Sequence, residues 1–382
     1  MARNAASHRS GKAAGKSCCP RPIWCLLHTR VCRKELVDSV LDEESRGPAA
    51  GLPMPSGHAP DSAAQATVNG KQHPGRILPR ARPGSTAGPV SLRPSAQWAR
   101  DGGAAAEPAL VDVLIPTCDR PAELAVTLAG LAAQGNPVFR VVISDQSRNE
   151  PAWQHPAATA MIRLLRAQGR EVTSLRHLPR RGMAEHRQFL LEQSHADKAL
   201  FLDDDVWLEP GALECVNGAL DQLGCGFVGM APQGLSYLGE KRPDQTRSFE
   251  AWDGPVRAER VRPNSPEFGR WPLHSAANLT HLSADLGLMP EEWVPYRVAW
   301  LGGCVMYRRE ALQAAGGFSF WDQLPPEHSG EDVLAQWHVM EKFGAAGILP
   351  SGAVHLESPT TLPERRIEAH EQVLGLTVDR GL

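Results

Sequence analysis

The pattern of apolar and polar positions changes character at residue 110. LVDVLIPT (110–117) is a short, mainly apolar run ending in Pro, the pattern of a buried strand. RPAELAVTLAGLAAQ (120–134) follows with apolar residues at helical spacing, and Pro121 stands near its start, where a missing N–H does no harm. The same exchange repeats: strand FRVVISDQS (139–147), helix AATAMIRLLRAQG (157–169), strand EVTSLRHLP (171–179), helix GMAEHRQFLLEQSHA (182–196), strand KALFLDDD (198–205), helix EPGALECVNGALDQL (209–223). Strand and helix in alternation predict an α/β domain with a parallel sheet and helices on both faces. GFVGMAPQG (226–234) reads as a fifth strand. Residues 235–297, with Trp252, Trp271 and Trp293 and many prolines, lose the period. A strand, a Gly302-Gly303 pair, a second strand and a short helix are expected over 296–318. A helix opening at Glu331-Asp332 follows over 329–344, regular structure ends over 347–359, and a charged helical tail closes the chain.

Ligands of such sheets sit at the carboxyl ends of the strands. Three polar stretches stand at predicted strand ends and are therefore expected to converge: TCDR (117–120), SDQS (144–147) and DDD (203–205). No glycine-rich loop follows the first strand, so a P-loop or dinucleotide fingerprint is absent.

Composition sharpens this picture. The chain has 382 residues, 42% hydrophobic and 22% charged, as expected of a globular protein with ample core, and its net charge is -3. The charge is unevenly placed. Residues 1–107 carry 15 Lys+Arg against 8 Asp+Glu, and the remainder 25 against 35. The acidic part is a poor generic nucleic-acid binder and would take an anionic ligand through a cation or a local basic cluster. The first 107 residues are rich in Pro, Gly, Ala, Ser and Arg without sustained periodicity. They read as a disordered arm, or as an upstream extension that the working protein lacks. Cys18, Cys19, Cys25 and Cys32 in that arm match no zinc spacing, and Cys118, Cys215, Cys225 and Cys304 read as reduced core thiols. No run approaches the ~18 apolar residues of a membrane helix. The expected location is the cytoplasm, with peripheral contact at the inner face of the membrane left open.

Four features carry candidate chemistry, each with a plain structural alternative. Asp203-Asp204-Asp205 at a strand end suits a hard divalent cation or a solvated turn. Asp145 suits a base or ribose contact, or a turn cap. Glu331 and Asp332 suit a general base, or a cap stabilised by the helix dipole. His355 on a late strand suits metal coordination, or core packing.

Taken in order, VDVLIPTCDR, VVISDQS, RGMAEHRQFLL, FLDDDV, WLGGCVMYRREAL with GGF, and SGED resemble the family 2 glycosyltransferases, with the GT-A nucleotide-sugar fold, over roughly residues 110–357. The resemblance implies a Rossmann-like, mostly parallel sheet flanked by helices. It implies a catalytic domain over 108–357, with 235–297 as a variable acceptor-side insertion and 358–382 as a C-terminal tail. It also implies an inverting transfer of a single sugar from a nucleotide-diphosphate sugar, a UDP-sugar favoured, to an acceptor hydroxyl. Thr117, Asp119, Arg120, Asp145, Arg181, Asp203, Asp204, Gly302 and Gly303 would then line the donor, with Arg180 beside Arg181 at the phosphates. Asp205 and His355 would hold Mn2+ or Mg2+. Asp332, with Glu331 second, would be the base.

The sequence also departs from that family. TCDR replaces the usual aromatic and Asn, and Gln146-Ser147 replaces Gly-Ser. The Q-x-x-R-W type motif of processive synthases is missing, which favours single transfer over polymerisation. Two alternatives stand beside the main reading. One is a degenerate domain that binds nucleotide or sugar without turnover. The other is a sugar nucleotidyltransferase, which lacks its Gly-rich signature here.

Overall fold

The computed structural model describes residues 108–274, 279–289, 291–361 and 367–376. The expected disordered arm over 1–107, with its four cysteines, lies outside the described residues.

The alternating pattern becomes β1 (Val111–Thr117), α1 (Pro121–Ala132), β2 (Phe139–Asp145), α2 (Pro156–Ala167), β3 (Val172–Arg176), α3 (Met183–Glu192), β4 (Lys198–Leu202), a short β5 (Val206–Leu208) and α4 (Ala212–Leu223). Then come β6 (Phe227–Gly229), β7 (Gln233–Gly234), β8 (Val294–Tyr296), β9 (Cys304–Arg308), α5 (Arg309–Ala314), β10 (His328–Ser329), α6 (Glu331–Phe343), β11 (Ala345–Leu349), β12 (Ala353–His355), β13 (Ile367–Glu368) and α7 (Ala369–Leu374). The main sheet has eight strands in the order β3-β2-β1-β4-β9-β6-β11-β8. Only β9 and β8 run against the rest. The fold is thus α/β with a mostly parallel sheet, as the alternation predicts.

β1 lies between β2 and β4, so both of its faces are covered and all seven residues are buried. Its one charge, Asp112, sits at the end away from the polar strand termini. Arg140 of β2 donates to it at 2.8 and 3.0 Å, and the His195 and Ala196 N–H groups donate as well. Burial pushes this carboxyl up, but those hydrogen bonds and the Arg140 charge more than offset it and hold the group below its usual value. The chain order reverses at β1: β2 and β3 build outward on one side and β4 on the other. A crevice opens at such a switch point, outside the carboxyl ends of β1 and β4.

Four expectations shift. The predicted strand 198–205 stops at Leu202, because Asp203–Asp205 form a turn before β5. Three adjacent carboxylates make a poor strand, and the turn spreads them apart. The predicted strand 226–234 likewise divides into β6 and β7, and β7 joins β5 and β12 in a separate three-stranded sheet. Residues 235–297 are less of an insertion than their composition suggests. Their last stretch supplies β8, the edge of the main sheet, while Trp252 and Trp293 are buried in the core. Beyond the expected boundary at 357, β13 pairs with β10, and Ala369 and His370 of α7 are buried, so this part of the tail docks.

β11 and β8 approach so closely that Gly347 stands opposite Tyr296, and a Cβ built on Gly347 would lie 2.3 Å from Tyr296 Cζ. Gly347→Ala is therefore expected to cost about 1–3 kcal/mol through overpacking. Urea unfolding checks this. A midpoint equal to wild type at unchanged slope would show that the strands can part there at no cost.

Candidate active site

The crevice is built from the loop after β1, the Asp203–Asp205 turn after β4, the start of α6 and the end of β12. Three backbone hydrogen bonds and one from a side chain pin the turn: Asp203 N donates to Gly303 O (2.9 Å), Val206 N to Asp203 O (3.2 Å), Leu356 N to Asp205 O (2.8 Å), and the Thr127 hydroxyl Oγ1 of α1 to Asp204 O (2.7 Å). Gly303 adopts φ +69°, and a Cβ there would meet Pro232 and Val206 at 3.1 Å, which explains the glycine at this position. A Cβ on Gly302 would meet nothing within 4 Å, so the pair is not equally constrained.

The three carboxylates point to different partners. Asp204 accepts from Thr117 Oγ1 (2.7 Å) and Arg120 Nη1 (3.1 Å), and Asp205 accepts from the same Nη1 (2.7 Å). Arg120 Nη2 also donates to the Pro359 carbonyl. Burial pushes the Asp204 carboxyl up to about 7 despite the Thr117 hydrogen bond and the Arg120 charge, and burial raises Asp205 too, against the pull of His355. Asp203 turns the other way and accepts from Arg187 Nη2 (3.0 Å), whose Nε donates to Glu331 Oε1 (3.0 Å).

Arg187 is 7% exposed on α3, and it joins the acidic turn to the acidic pair of α6. Asp332, next along, is partly buried and its carboxyl is pushed up to about 7, first by burial and then by repulsion from Glu331, with Arg187 opposing. The motif RGMAEHRQFLL contains Arg187, but sequence reasoning gave it no role. The signal was present: Leu190 and Leu191, three and four residues on, mark the buried face of the helix, and a charge on that face needs a partner.

Two spaces flank the cluster. An open cleft of about 430 Å3 is lined by Cys118, Asp119, Arg120, Arg148, Arg180 and Pro359, among others. A small void of about 10 Å3, room for about one water, lies among Arg187, Gly303, Tyr307, Asp332 and Gln336.

The sequence-named residues thus fall into two groups. Thr117, Asp119, Arg120, Asp204, Asp205 and His355 surround the cleft side, and Asp203, Gly303, Glu331 and Asp332 the Arg187 side. Asp145 stands apart. It is fully buried, and its two oxygens accept from the Ser147 and Ala152 N–H groups, so it caps the loop after β2. That loop still reaches the first: the Asp119 N–H donates to Ser147 Oγ (2.8 Å). Arg180 lines the cleft, whereas Arg181 is exposed and does not. Cys225 and Cys304 are core thiols as expected, but Cys118 is at the cleft and Cys215 only partly buried.

The expected Mn2+ or Mg2+ ligands, Asp205 and His355, do not fit a divalent cation in this arrangement. Asp205 Oδ2 is taken by Arg120. His355 Nδ1 accepts the Glu357 N–H at 2.8 Å, so the neutral ring carries its proton on Nε2, 3.6 Å from Asp205 Oδ2. A protonated ring nitrogen offers no lone pair to a metal. No group of three or more His, Cys, Asp or Glu side chains is arranged to hold a metal ion among the described residues.

Fold and crevice together define an α/β protein with a mostly parallel eight-stranded sheet and an acidic crevice at its strand ends. Residues 112–274 match the family model for glycosyl transferase family 2, which bears out the resemblance drawn from the motifs. Among solved structures, the chain is similar to S. aureus TarS 1-349 in complex with UDP-GlcNAc, at 16% identity and TM-score 0.42, over 65% of this chain and 61% of that one. It is also similar to the mannosyltransferase PcManGT from Pyrobaculum calidifontis in complex with GDP-Man and Mn2+, at 16% identity and TM-score 0.37, over 66% and 61%. The chain therefore spans about three-fifths of the length of each. No curated protein matches the chain. Among the described residues, no helix is long and apolar enough to cross a membrane.

Arg187→Met leaves Asp203 and Glu331 without their shared partner and is expected to destabilise the fold by about 3–5 kcal/mol. Arg181→Ala, exposed, should stay within about 0.5 kcal/mol of wild type. Chemical denaturation of both variants checks the pair, and a similar cost for the two would remove the special place of Arg187. The raised carboxyls have a signed consequence. Asp332 and Asp204 hold their protons more tightly in the folded chain than at the usual 3.8, so stability falls as pH rises from about 4 to about 7. Asp332→Asn should flatten part of that fall in stability curves taken across the range. An identical slope would place the titration elsewhere.

Proposed function

We propose that residues 108–357 act as a glycosyltransferase that moves a single sugar from a nucleotide-diphosphate sugar to an acceptor hydroxyl, with inversion at the anomeric carbon. The observation that carries this reading is the joining of two acidic groups across one crevice. The Asp203–Asp205 turn after β4 and the Glu331–Asp332 pair opening α6 are linked through buried Arg187. The family 2 match over residues 112–274 supports the reaction class. The sugar nucleotides bound by TarS and PcManGT support the donor class.

In this reading the diphosphate of the donor occupies the cleft at the N-terminus of α1, where Arg120, Arg148 and Arg180 stand. The sugar extends past Gly303 toward Asp332. The hydroxyl of the acceptor must lose its proton as it attacks the anomeric carbon, and Asp332 takes it. A carboxyl raised to about 7 is suited to that role, since a base near the working pH is ionised yet still accepts a proton. Arg187 keeps Asp203 and Glu331 engaged, so that Asp332 remains the acid of the pair left to react. Displacement from the face opposite the leaving diphosphate inverts the centre. The bond to the diphosphate oxygen breaks as the bond to the acceptor oxygen forms.

Transfer or slow hydrolysis measured over a panel of UDP-, GDP- and dTDP-sugars tests the reading. Asp332→Asn should lower kcat by about 10²–10⁴ with little change in nucleotide affinity. For the wild type, kcat/KM should rise with pH through about 7 as Asp332 ionises, then level off. A protein that binds nucleotide but turns over no sugar in the panel would be the non-catalytic binding domain instead.

A further inference from the structure

Resting on the donor reading above, we propose that Arg120 is the resident cation of this site. It neutralises the Asp204–Asp205 pair and, with Arg148 and Arg180, receives the diphosphate, so that donor binding here needs no divalent ion.

The geometry begins with the position of Arg120. Its Nη1 lies between the two carboxylates, at 3.1 Å from Asp204 Oδ1 and 2.7 Å from Asp205 Oδ2, and bridges them as a bound cation would. Its side chain is 13% exposed and lines the cleft. A guanidinium has five N–H donors. Two from Nη1 serve the aspartates and one from Nη2 serves Pro359 O. Among the described residues no hydrogen bond takes the Nε–H or the second Nη2–H, which leaves two donors for an anion.

The neighbours of Arg120 continue the pattern. Arg148 and Arg180 line the same cleft, and no ion pair among the described residues takes either guanidinium. The acids facing the cleft are Asp119 and Glu123. Asp119 has φ 56° and directs one oxygen to the Arg148 N–H, so the loop is held locally. Arg120 is also the N-cap of α1, whose positive end faces the cleft. His355 Nε2, carrying its proton, adds a donor beside Asp205, whereas a metal site would need a ligand there. Each of these groups is arranged for an anion already matched by fixed positive charge. An arginine fork also suits phosphate oxygens geometrically.

The deciding experiment is calorimetric titration of the full chain with UDP and with GDP, in EDTA and again with excess Mn2+ or Mg2+. The wild type should bind one of the two nucleotides with affinities that agree within about twofold in the two conditions. Arg120→Gln should weaken binding in EDTA about tenfold or more, the loss of a charge-assisted contact. Adding Mn2+ should then restore part of that loss, because Asp205 is freed for the ion. The exposed double variant Arg148→Ala/Arg180→Ala should weaken binding to a similar degree, with no restoration by Mn2+. If Arg120→Gln fails to fold, judged by circular dichroism, the wild-type comparison and the double variant decide the matter alone. Wild-type binding that requires a divalent ion, or Arg120→Gln binding as well as wild type in EDTA, overturns the proposal while leaving the donor reading standing. If neither nucleotide binds in either condition, the proposal falls, and turnover over the sugar-nucleotide panel decides the donor reading.

Discussion

The buried guanidinium of Arg187 is the constraint on which the site depends. A charge that is 7% exposed is costly unless it is matched, and here two carboxylates from different parts of the chain match it. Asp203 comes from the end of β4 and Glu331 from the start of α6. The pairing fixes the distance between an acidic turn and an acidic helix start that lie more than a hundred residues apart in sequence. It also leaves Asp332 beside a full positive charge and a full negative one. Desolvation and Glu331 win over Arg187 at that position, and this raises the carboxyl into the range of a useful base.

The same economy operates on the cleft side, with Arg120 in place of Arg187. One arginine faces inward and locks structure. The other is only partly enclosed and keeps donors to spare. The Asp203–Asp205 turn sits between them, and its three residues divide their side chains accordingly. Repulsion among three adjacent carboxylates is offset in part because the chain turns there, Arg187 meeting Asp203 while Thr117 and Arg120 meet Asp204 and Asp205. The unevenly acidic charge of the domain therefore says little about what the crevice attracts. Local arginines, brought together from the β1–α1, β2 and β3–α3 loops, set the sign at the place where an anion would sit.

Much of the fold was legible because apolar runs and helical spacing report local burial directly. β1 to β4 and the helices between them follow from that period, and so does the convergence of the first and fourth strand ends. What was not legible depends on partners distant in sequence. Asp112 is a charge inside an apolar strand, and the residues that answer it, Arg140 and the N–H groups before β4, stand far from it in sequence. β8 was hidden because a three-residue edge strand has no period to display. Asp145 carried two readings, ligand contact or turn cap, and only the positions of the Ser147 and Ala152 amides bring out the capping role. For the site, residue types and order identified the acids but not which way each would face. Arg187 carried a signal of its own, a charge on the buried face of a helix. Reading it required asking which charge would answer it.

The position of His355 shows why direction matters more than identity. A histidine beside an aspartate near a strand end suggests a metal ligand, and residue types alone cannot dispute it. The Glu357 N–H decides otherwise in this arrangement, because it occupies Nδ1 and so sends the ring proton to Nε2, toward Asp205. A single backbone amide two residues away turns an acceptor into a donor. Arg120 completes the change by occupying the carboxylate oxygen on the other side. The crevice thus keeps the acidic turn typical of a cation site, while the groups around it are set to donate hydrogen bonds rather than to ligate. Arg148 and Arg180, which no ion pair among the described residues takes, stand beside Arg120 at its rim.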